Sequence, residues 1–521
     1  MMEAMAAGLP AIVPPVGDLP DLVSDGKTGL LIDPQDAHHS AERIAALLDH
    51  SDYLDQLAQN ARSKATAHAS VSNVAARWSR FLSAMPVDSS APIPGTARTA
   101  LGIFAVALVV RLLFCFSAVP LLQLKTGPSQ ADFFTSTDGY MNIAKTLVDH
   151  GKYAFAAEAP PTSYRAPMFP FAIASGYALL RDVGVSVLVV NCLASALTCV
   201  LVYFIAVRLV GSRAGLALMI PAIFLPLSIY YCASSFSDTF FALAIALYLL
   251  TLLRLMQSPN RRSGLLHGIA IAFAALTKAV ALPLPLVVGT YALLRRPSAI
   301  RPLVISLMIG FAGIGIWTAR NYASTGRFVL VTGGSGYNAL IGNFMIDEWT
   351  DCDTALAHGR RLAQARVQEE QGSVINTRDL RPTGFLDVPP DIDQLYGRSA
   401  MQMMLDSPQL LMRKLAINSV RFWYFSSSKA KSLANGLVNG LILLFALAAL
   451  PELLRTRRPE TEVIGLVAIT FVVLYSLIIV HSSRFCLPMV MVLTPMASVG
   501  FARLLRLILS ERPVNSLLQR A

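Results

Sequence analysis

Apolar stretches about 20 residues long recur along most of the chain, separated by short polar connections. Because a helix needs about 20 such residues to cross a bilayer, this pattern predicts a mainly α, polytopic membrane protein with about ten transmembrane helices. They are placed near residues 99–122, 186–208, 215–234, 237–256, 264–280, 281–294, 301–318, 433–454, 461–480 and 485–507.

Residues 1–85 follow a different pattern, in which short apolar runs alternate with turn signals and amphipathic helices. The segments "AMAAGLPAIVPPVG" and "DLPDLVSDGKTGLLID" each indicate a helical piece, a turn and a short strand. A small soluble α/β piece is therefore predicted for 1–85. A linker rich in Pro and Ser follows at 86–98, a membrane domain at 99–510 and a tail at 511–521.

The distribution of arginines predicts the orientation of the spans. Four connections carry them, at Arg208 and Arg213, at Arg254, Arg261 and Arg262, at Arg295, Arg296 and Arg301, and at Arg455, Arg457 and Arg458. Basic connections stay in the cytoplasm, so both termini are expected there and two long connections, 123–185 and 319–432, outside. If all four basic connections are cytoplasmic, residues 264–294 must cross the membrane twice. They are therefore expected to form a hairpin with Lys278 at its outer apex. One long tilted helix is the alternative.

Composition narrows the possible functions. Hydrophobic residues make up 54% of the chain and charged residues 14%, and the net charge is +11. Cytoplasmic loops account for such an excess in a membrane protein, and no basic stripe interleaved with aromatics indicates a nucleic-acid partner. The six cysteines have no metal-ligand spacing, so no metal site is predicted. No cofactor is required, and a divalent cation is possible but not indicated.

Charged residues collect at the predicted outer ends of the spans. Asp138 opens a short amphipathic helix, "DGYMNIAKTLVDHG", and Asp238 opens a span in "SSFSDTFFALAIALYLL". The cations on the same side are Arg165, Lys278, Arg320 and Arg484. Such cations can hold a lipid phosphate, and a carboxylate can take a proton from an attacking hydroxyl. The alternatives are that the acids only cap helices and the cations only anchor the interface.

Four stretches give residues 99–510 a resemblance to GT-C integral membrane glycosyltransferases, in the branch of the aminoarabinose–lipid A transferases and protein O-mannosyltransferases. They are "TDGYMNIAKTLVDHGKYAF" with "YRAPMFPF", then "YYCASSFSDTFFALAIALYLL", "LTKAVALPLPL", and "WTARNYASTGRFVLVTGGSGYNALIGN" with "SSRFCLPM". The third stretch has Lys278 where arginine is commoner. The first has Asp138 alone where many relatives have an acidic pair, which leaves the roles of base and acceptor binding open.

This resemblance implies an inverting transfer from a polyprenyl-phosphate sugar to a lipid, glycan or protein acceptor at the outer face of the cell membrane. Asp138 and Asp238 match the two acidic positions, which are the predicted catalytic residues. The predicted donor-phosphate and substrate residues are Arg165, Lys278, Arg320, Arg484, Tyr337 and Asn338.

Residues 1–85 resemble the end of a GT-B glycosyltransferase that uses a nucleotide sugar. Glu3 matches the second glutamate of the E-x7-E motif of that family, but the first glutamate and most of the donor domain have no counterpart. The segment, a Rossmann-like fragment, is therefore expected to be inactive alone and its nucleotide-sugar site vestigial. A fusion remnant, a misplaced start and a fragment of a longer two-enzyme chain stay open.

The sequence is also compatible with two other functions. One is a polytopic transporter of lipid or oligosaccharide, and the other is an inactive scaffold for envelope assembly. A transporter is expected to carry its essential charges near the midplane of the membrane, whereas a transferase carries them at the outer face.

Deletion of residues 1–90 should leave transfer at the outer face largely unchanged, because the membrane part keeps its spans and both outer connections. Arg98 remains as a cytoplasmic positive flank for the first span. Turnover of the purified truncated protein, compared with the full chain, measures this. A truncated protein that inserts normally but has lost activity would instead identify 1–90 as a regulatory or docking module.

Overall fold

The computed structural model describes residues 2–16, 19–69, 96–120, 138–210, 216, 219–371, 386–456, 459–480 and 482–510. Most of the predicted linker and the predicted tail lie outside these residues. The chain divides into an N-terminal unit and a larger helical unit, and each is described by itself.

The N-terminal unit contains two short parallel strands and four helices. They are α1 (Met2–Ala6), β1 (Ala11–Val13), α2 (Leu19–Leu22), β2 (Gly29–Leu31), α3 (Ala37–Leu48) and α4 (Ser51–Ala69). Ala11 pairs with Gly29, and a Cβ at Gly29 would lie 2.1 Å from the Ala11 carbonyl oxygen, so only glycine fits at this register. Met5, Val23 and Ala61 form the core. The small α/β fragment predicted here is confirmed.

The described residues of the second unit form helices joined by loops and contain no strand. Its helices are α5 (Thr96–Leu113, continued by a π-helical turn, Phe114–Ala118), α6 (Tyr140–His150), α7 (Met168–Leu180), α8 (Val183–Val210), α9 (Met219–Ile223), α10 (Pro226–Cys232), α11 (Asp238–Gln257), α12 (Arg261–Thr277), α13 (Leu284–Arg295), α14 (Ile300–Thr325), α15 (Ser335–Met345), α16 (Cys352–Gln371), α17 (Pro390–Asp406), α18 (Pro408–Tyr424), α19 (Lys429–Thr456), α20 (Pro459–Ile478) and α21 (Leu487–Ser510). Short 3₁₀ turns lie between some of them.

The described residues contain seven helices that are long and apolar enough to cross a membrane. They cover Ala97–Ala118, Val183–Leu209, Asp238–Gln257, Pro297–Thr325, Lys429–Pro451, Thr461–Ile478 and Ser483–Phe501. A multi-pass membrane protein is therefore confirmed, but the predicted count of about ten spans is not. The other three predicted spans correspond to shorter helices, α9 with α10, α12, and α13.

The break between α9 and α10 is stabilised by a buried arginine. Pro226 begins α10, and proline has no N–H to donate to a carbonyl of the preceding turn. Arg111 of α5, which is fully buried, donates to the Ile223 carbonyl at 3.1 Å and to the Ser228 hydroxyl at 3.2 Å. The side chain therefore satisfies a carbonyl that the interrupted helix leaves without its usual partner.

Helices α12 and α14 run parallel and touch through glycines. A Cβ at Gly264 would lie 2.6 Å from the Pro302 carbonyl oxygen, and one at Gly310 would lie 2.6 Å from Ile271. Residue numbers thus rise together along the contact, so α13 must carry the chain back between the two helices. The reversal expected within 264–294 is present, and Lys278 lies at its turn.

The amphipathic helix expected after Asp138 is present. This helix, α6, buries Tyr140, Ile143 and Ala144 and ends at Gly151, which has a positive φ of 65°. Glycine adopts this conformation without steric cost and stops the helix there.

Replacing Gly268 by valine should push α12 away from α14, because a Cβ at this position already lies 2.8 Å from both Ile309 and the Ser306 carbonyl. Overpacking of this kind costs about 1–3 kcal/mol. We expect a lower thermal unfolding midpoint in detergent. The matched control is Gly289→Val on α13, where a Cβ would meet no described atom within 4 Å. Equal midpoints for the two variants would contradict the close packing.

Candidate active site

Five charged side chains, drawn from the ends of several helices, form a continuous chain of alternating sign. Asp138 precedes α6, Arg165 precedes α7, Asp238 opens α11, Lys278 follows α12, and Arg484 lies in a 3₁₀ turn before α21. Segments far apart in the sequence thus each contribute one charge to a single cluster, which we call the charge chain.

The distances follow the order of the charge chain. The Arg165 guanidinium lies 3.5 Å from Asp138 Oδ1, and Arg484 lies 3.8 Å from Asp138 Oδ2. On its other side, Arg484 lies 3.6 Å from Asp238 Oδ2, and Lys278 Nζ lies 2.5 Å from Asp238 Oδ1. Arg484 therefore bridges the two carboxylates, and each carboxylate lies between two cations.

The two carboxylates differ in accessibility. The Asp238 side chain is 2% exposed, whereas that of Asp138 is 25% exposed. A molecule approaching the charge chain can therefore reach Asp138, while Asp238 is enclosed by its cations and the surrounding helices. The two aspartates, both predicted from the sequence to be catalytic, therefore differ in their access to other molecules.

Aromatic rings cover the cations. The Arg484 guanidinium lies 3.8 Å from the centroid of Phe236, Lys278 Nζ lies 5.1 Å from that of Phe485, and Arg165 lies 4.6 Å from that of Tyr164. Ring faces attract cations and exclude water, so the charges interact in a less polar medium than bulk solvent.

Local structure sets each cation in place. The Arg165 side chain donates through Nε to the Asp138 backbone carbonyl at 2.8 Å, in addition to its ion pair. Burial acts to lower the pKa of Arg165, but Asp138 and the nearby tyrosines raise it, and the net pKa lies above its ordinary value. Arg484 is the second residue of a turn capped by Ser482, and the first residue, Ser483, donates its N–H to the Phe425 carbonyl at 2.6 Å.

The remaining predicted site residues have other surroundings. Arg320 donates to the backbone carbonyls of Thr162 at 2.7 Å and Tyr153 at 3.3 Å, so it holds the first outer connection. Tyr337 is buried against Tyr396, with ring centroids 5.1 Å apart.

Asn338 lies in the first turn of α15, where its N–H donates to the Gly334 carbonyl at 3.0 Å. The side chain of Glu3 lies outside those that the structure describes. For these residues, as for the five of the charge chain, a role in substrate binding stays a prediction.

Some residues of the site were not singled out by the sequence. Tyr164 and Phe485 are each adjacent in sequence to an arginine of the charge chain, and that adjacency is the signal that could have found them. Within the described residues no group of three or more His, Cys, Asp or Glu side chains could hold a metal ion.

Two family models match parts of the chain. Residues 164–317 match the family described as dolichyl-phosphate-mannose-protein mannosyltransferase, and residues 1–64 match glycosyl transferases group 1. The first match includes Arg165, Asp238 and Lys278. The composite predicted from the sequence, a GT-C part preceded by a GT-B fragment, is confirmed by these two matches.

Two curated relatives match a short part of the chain. The D-inositol 3-phosphate glycosyltransferase of Corynebacterium glutamicum (strain R) is 50% identical over 48 residues, 9% of this chain and 12% of that protein. The enzyme of the same name from Corynebacterium efficiens is 42% identical over 60 residues, 12% of this chain and 14% of that protein. The chain thus spans less than one sixth of the length of either relative.

Two solved structures resemble the chain weakly. ArnT from Cupriavidus metallidurans bound to undecaprenyl phosphate is 16% identical, with 77% of each chain covered and a TM-score of 0.35. The apo form of the same protein is also 16% identical, with 74% of this chain and 78% of that chain covered and a TM-score of 0.31. The family matches and the apolar helices, rather than these structures, support a membrane glycosyltransferase of GT-C type.

Asp238→Asn should destabilise the protein, because it leaves Lys278 and Arg484 buried without their shared negative charge. Breaking a buried pair in this way costs about 3–5 kcal/mol. The control is Asp149→Asn, which breaks an ion pair with Lys145 on the surface of α6, and surface pairs of this kind contribute little to stability. Thermal unfolding in detergent compares the two. A midpoint for Asp238→Asn equal to that of the control would contradict a stabilising role of the pair.

Proposed function

We propose that this protein transfers a sugar from a polyprenyl-phosphate donor to a lipid, glycan or protein acceptor at the outer face of the membrane. The observation that carries this proposal is the charge chain, in which two carboxylates alternate with three cations at the ends of membrane helices. Arginine and lysine bind phosphate oxygens and stabilise negative charge that develops on a leaving phosphate.

The charge balance of the site suits a single phosphate. Three cations against two carboxylates leave one positive charge in excess. A sugar joined to a lipid through one phosphate carries one negative charge, so its binding neutralises the cluster. A diphosphate would bring a further negative charge that the charge chain does not balance.

The difference in exposure supports separate roles for the two acids. Asp138, the accessible carboxylate, accepts the proton of the acceptor hydroxyl while the hydroxyl oxygen bonds to the anomeric carbon of the sugar. The bond from that carbon to the phosphate oxygen breaks, and polyprenyl phosphate leaves with the electron pair. Attack from the side opposite the phosphate inverts the configuration. Asp238, enclosed at 2% exposure, positions Lys278 and Arg484 for the phosphate.

The position of the charge chain favours a transferase over a transporter. Asp238 is the first residue of the span Asp238–Gln257, and Arg484 is the second residue of Ser483–Phe501. Both therefore lie at span ends, where a lipid carries its head group, and not near the midplane where transporters place their ionisable groups. The opposite end of α11 carries Arg254, which supports a cytoplasmic location for that end and an outer one for the site.

The N-terminal unit is proposed to take no part in this reaction. Its match covers residues 1–64, and the curated relatives align with only 48 and 60 residues of the chain. The two strands among its described residues do not by themselves make the sheet of a nucleotide-sugar domain. Deletion of residues 1–90 tests whether this unit is needed for transfer.

Asp138→Asn should abolish transfer while the fold is kept, because asparagine fills the same space but cannot accept the proton. Loss of a general base lowers turnover by about 10²–10⁴-fold. Purified protein is incubated with a panel of polyprenyl-phosphate sugars and a membrane lipid extract, and release of polyprenyl phosphate is measured.

Asp149→Asn, on the exposed face of α6, is the control and should retain turnover. A well-folded Asp138→Asn variant with near-normal turnover would remove Asp138 from the mechanism. Failure of the unmodified protein to release polyprenyl phosphate from any donor in the panel would reject the proposed donor class.

A further inference from the structure

The backbone that leads into Arg165 is held by the second outer connection. Gly333 N–H donates to the Ser163 carbonyl at 3.1 Å, and the Thr332 hydroxyl donates to the Tyr164 carbonyl. The Thr162 hydroxyl also donates to Asp387 Oδ1 at 2.9 Å. The two outer connections are therefore joined directly beside a cation of the charge chain.

Glycines at the start of α15 bring the packed surfaces close together. Gly334 has a φ of 87°, and a Cβ there would lie 2.5 Å from the ring of Tyr164. A Cβ at Gly336 would lie 2.1 Å from the Asp393 carbonyl oxygen of α17. The loop thus lies between Tyr164 on one side and α17 on the other, with no room for a larger residue at either glycine.

Asp393 holds this loop through its carboxylate. Asp393 Oδ1 accepts from the Tyr337 N–H at 2.8 Å, and the backbone N–H groups of Gly334, Ser335 and Gly336 lie at the same helix start. These are the free N–H groups at the start of α15, where a negative charge is favoured. Burial raises the pKa of Asp393, and the four N–H donors oppose that rise.

An exposed ion pair near Asp393 provides a contrast. Asp391, two residues earlier on α17, pairs with Arg327 at 2.8 Å, and both side chains are 57% exposed. A surface pair of this kind contributes little to stability. The two aspartates therefore lie in the same turn of α17 but have different surroundings, Asp391 exposed and Asp393 half-buried.

We propose that Asp393 is a positioning residue for the reaction: it holds the loop 334–337 against Tyr164, and the Tyr164 ring in turn keeps Arg165 on Asp138. The proposal rests on the proposed function for its catalytic consequence. The ring of Tyr164 is 3% exposed and flanks the Arg165 guanidinium at 4.6 Å, so a shift of the ring frees Arg165 to move. Arg165 would then lose its hydrogen bond to the Asp138 carbonyl as well as its ion pair.

The first test measures the accessibility of Arg165 and needs no turnover. Full-length protein with Asp393→Ala is treated with an arginine-specific dicarbonyl reagent, and modified arginines are located by mass spectrometry. Arg165 should be modified several-fold faster than in the unmodified protein, while the fully buried Arg421 stays protected. Asp391→Ala is the matched control and should leave the rate at Arg165 unchanged.

Modification of Arg421 as well would show that Asp393→Ala has failed to fold. Two variants at Tyr164 then provide an independent test. Tyr164→Ala removes the ring that covers Arg165, while Tyr164→Phe keeps it. Faster modification of Arg165 in the alanine variant alone supports the proposal. Unchanged modification of Arg165 in a folded Asp393→Ala or Tyr164→Ala protein overturns it.

The second test measures transfer. In Asp393→Ala the donor KM should rise and kcat should fall, with a loss of up to about 10²-fold for a misplacement near 1 Å. Asp393→Asn, which keeps a carbonyl oxygen for the Tyr337 N–H, should recover part of that loss. If no polyprenyl-phosphate sugar is a donor, the proposed function fails, but the modification rates still decide whether Asp393 positions Arg165.

Discussion

The enclosed carboxylate of Asp238 is the constraint on which the helical unit depends. A buried charge is tolerated only when opposite charges lie beside it, and Asp238 has Lys278 on one side and Arg484 on the other. These residues belong to α11, to the turn after α12 and to the turn before α21. The ends of these three helices must therefore lie at one level, and a shift of any of them along its axis leaves a charge without its partner.

The packing of the neighbouring helices is consistent with that constraint. Glycines let α12 and α14 approach closely in parallel, which turns the chain at Lys278 and returns it through α13. The buried Arg111 stabilises the interrupted helix of α9 and α10, which precedes Asp238 by a few residues. Small residues and hydrogen-bonded polar groups are how helices associate within a membrane, where apolar contacts alone give little preference for one partner.

The two long connections between the membrane helices complete the site. The first supplies Asp138 and Arg165, and the second is joined to it at Thr162 and Tyr164. In the proposed mechanism the accessible Asp138 takes the proton, and the enclosed Asp238 positions the cations that hold the phosphate. Residues 164–317 and 1–64 match two different glycosyltransferase families. The first match fits a transferase built on the helical unit.

The sequence by itself determined the class of protein, most of its spans, the amphipathic helix after Asp138 and the reversal at Lys278. These follow from hydropathy, from stop residues such as Gly151 and from the arginine-bearing connections, all of which are local properties of the chain. Only the tertiary structure decided which charges pair, since Asp138 and Arg484 are brought together from opposite ends of the unit. It also decided that Arg320 binds backbone carbonyls, that the segment containing α9 and α10 is broken, and that Asp393 is half-buried while Asp391 is exposed. The physical reason is that pairing and burial depend on which distant segments pack together, and no local pattern of polar and apolar residues carries that information.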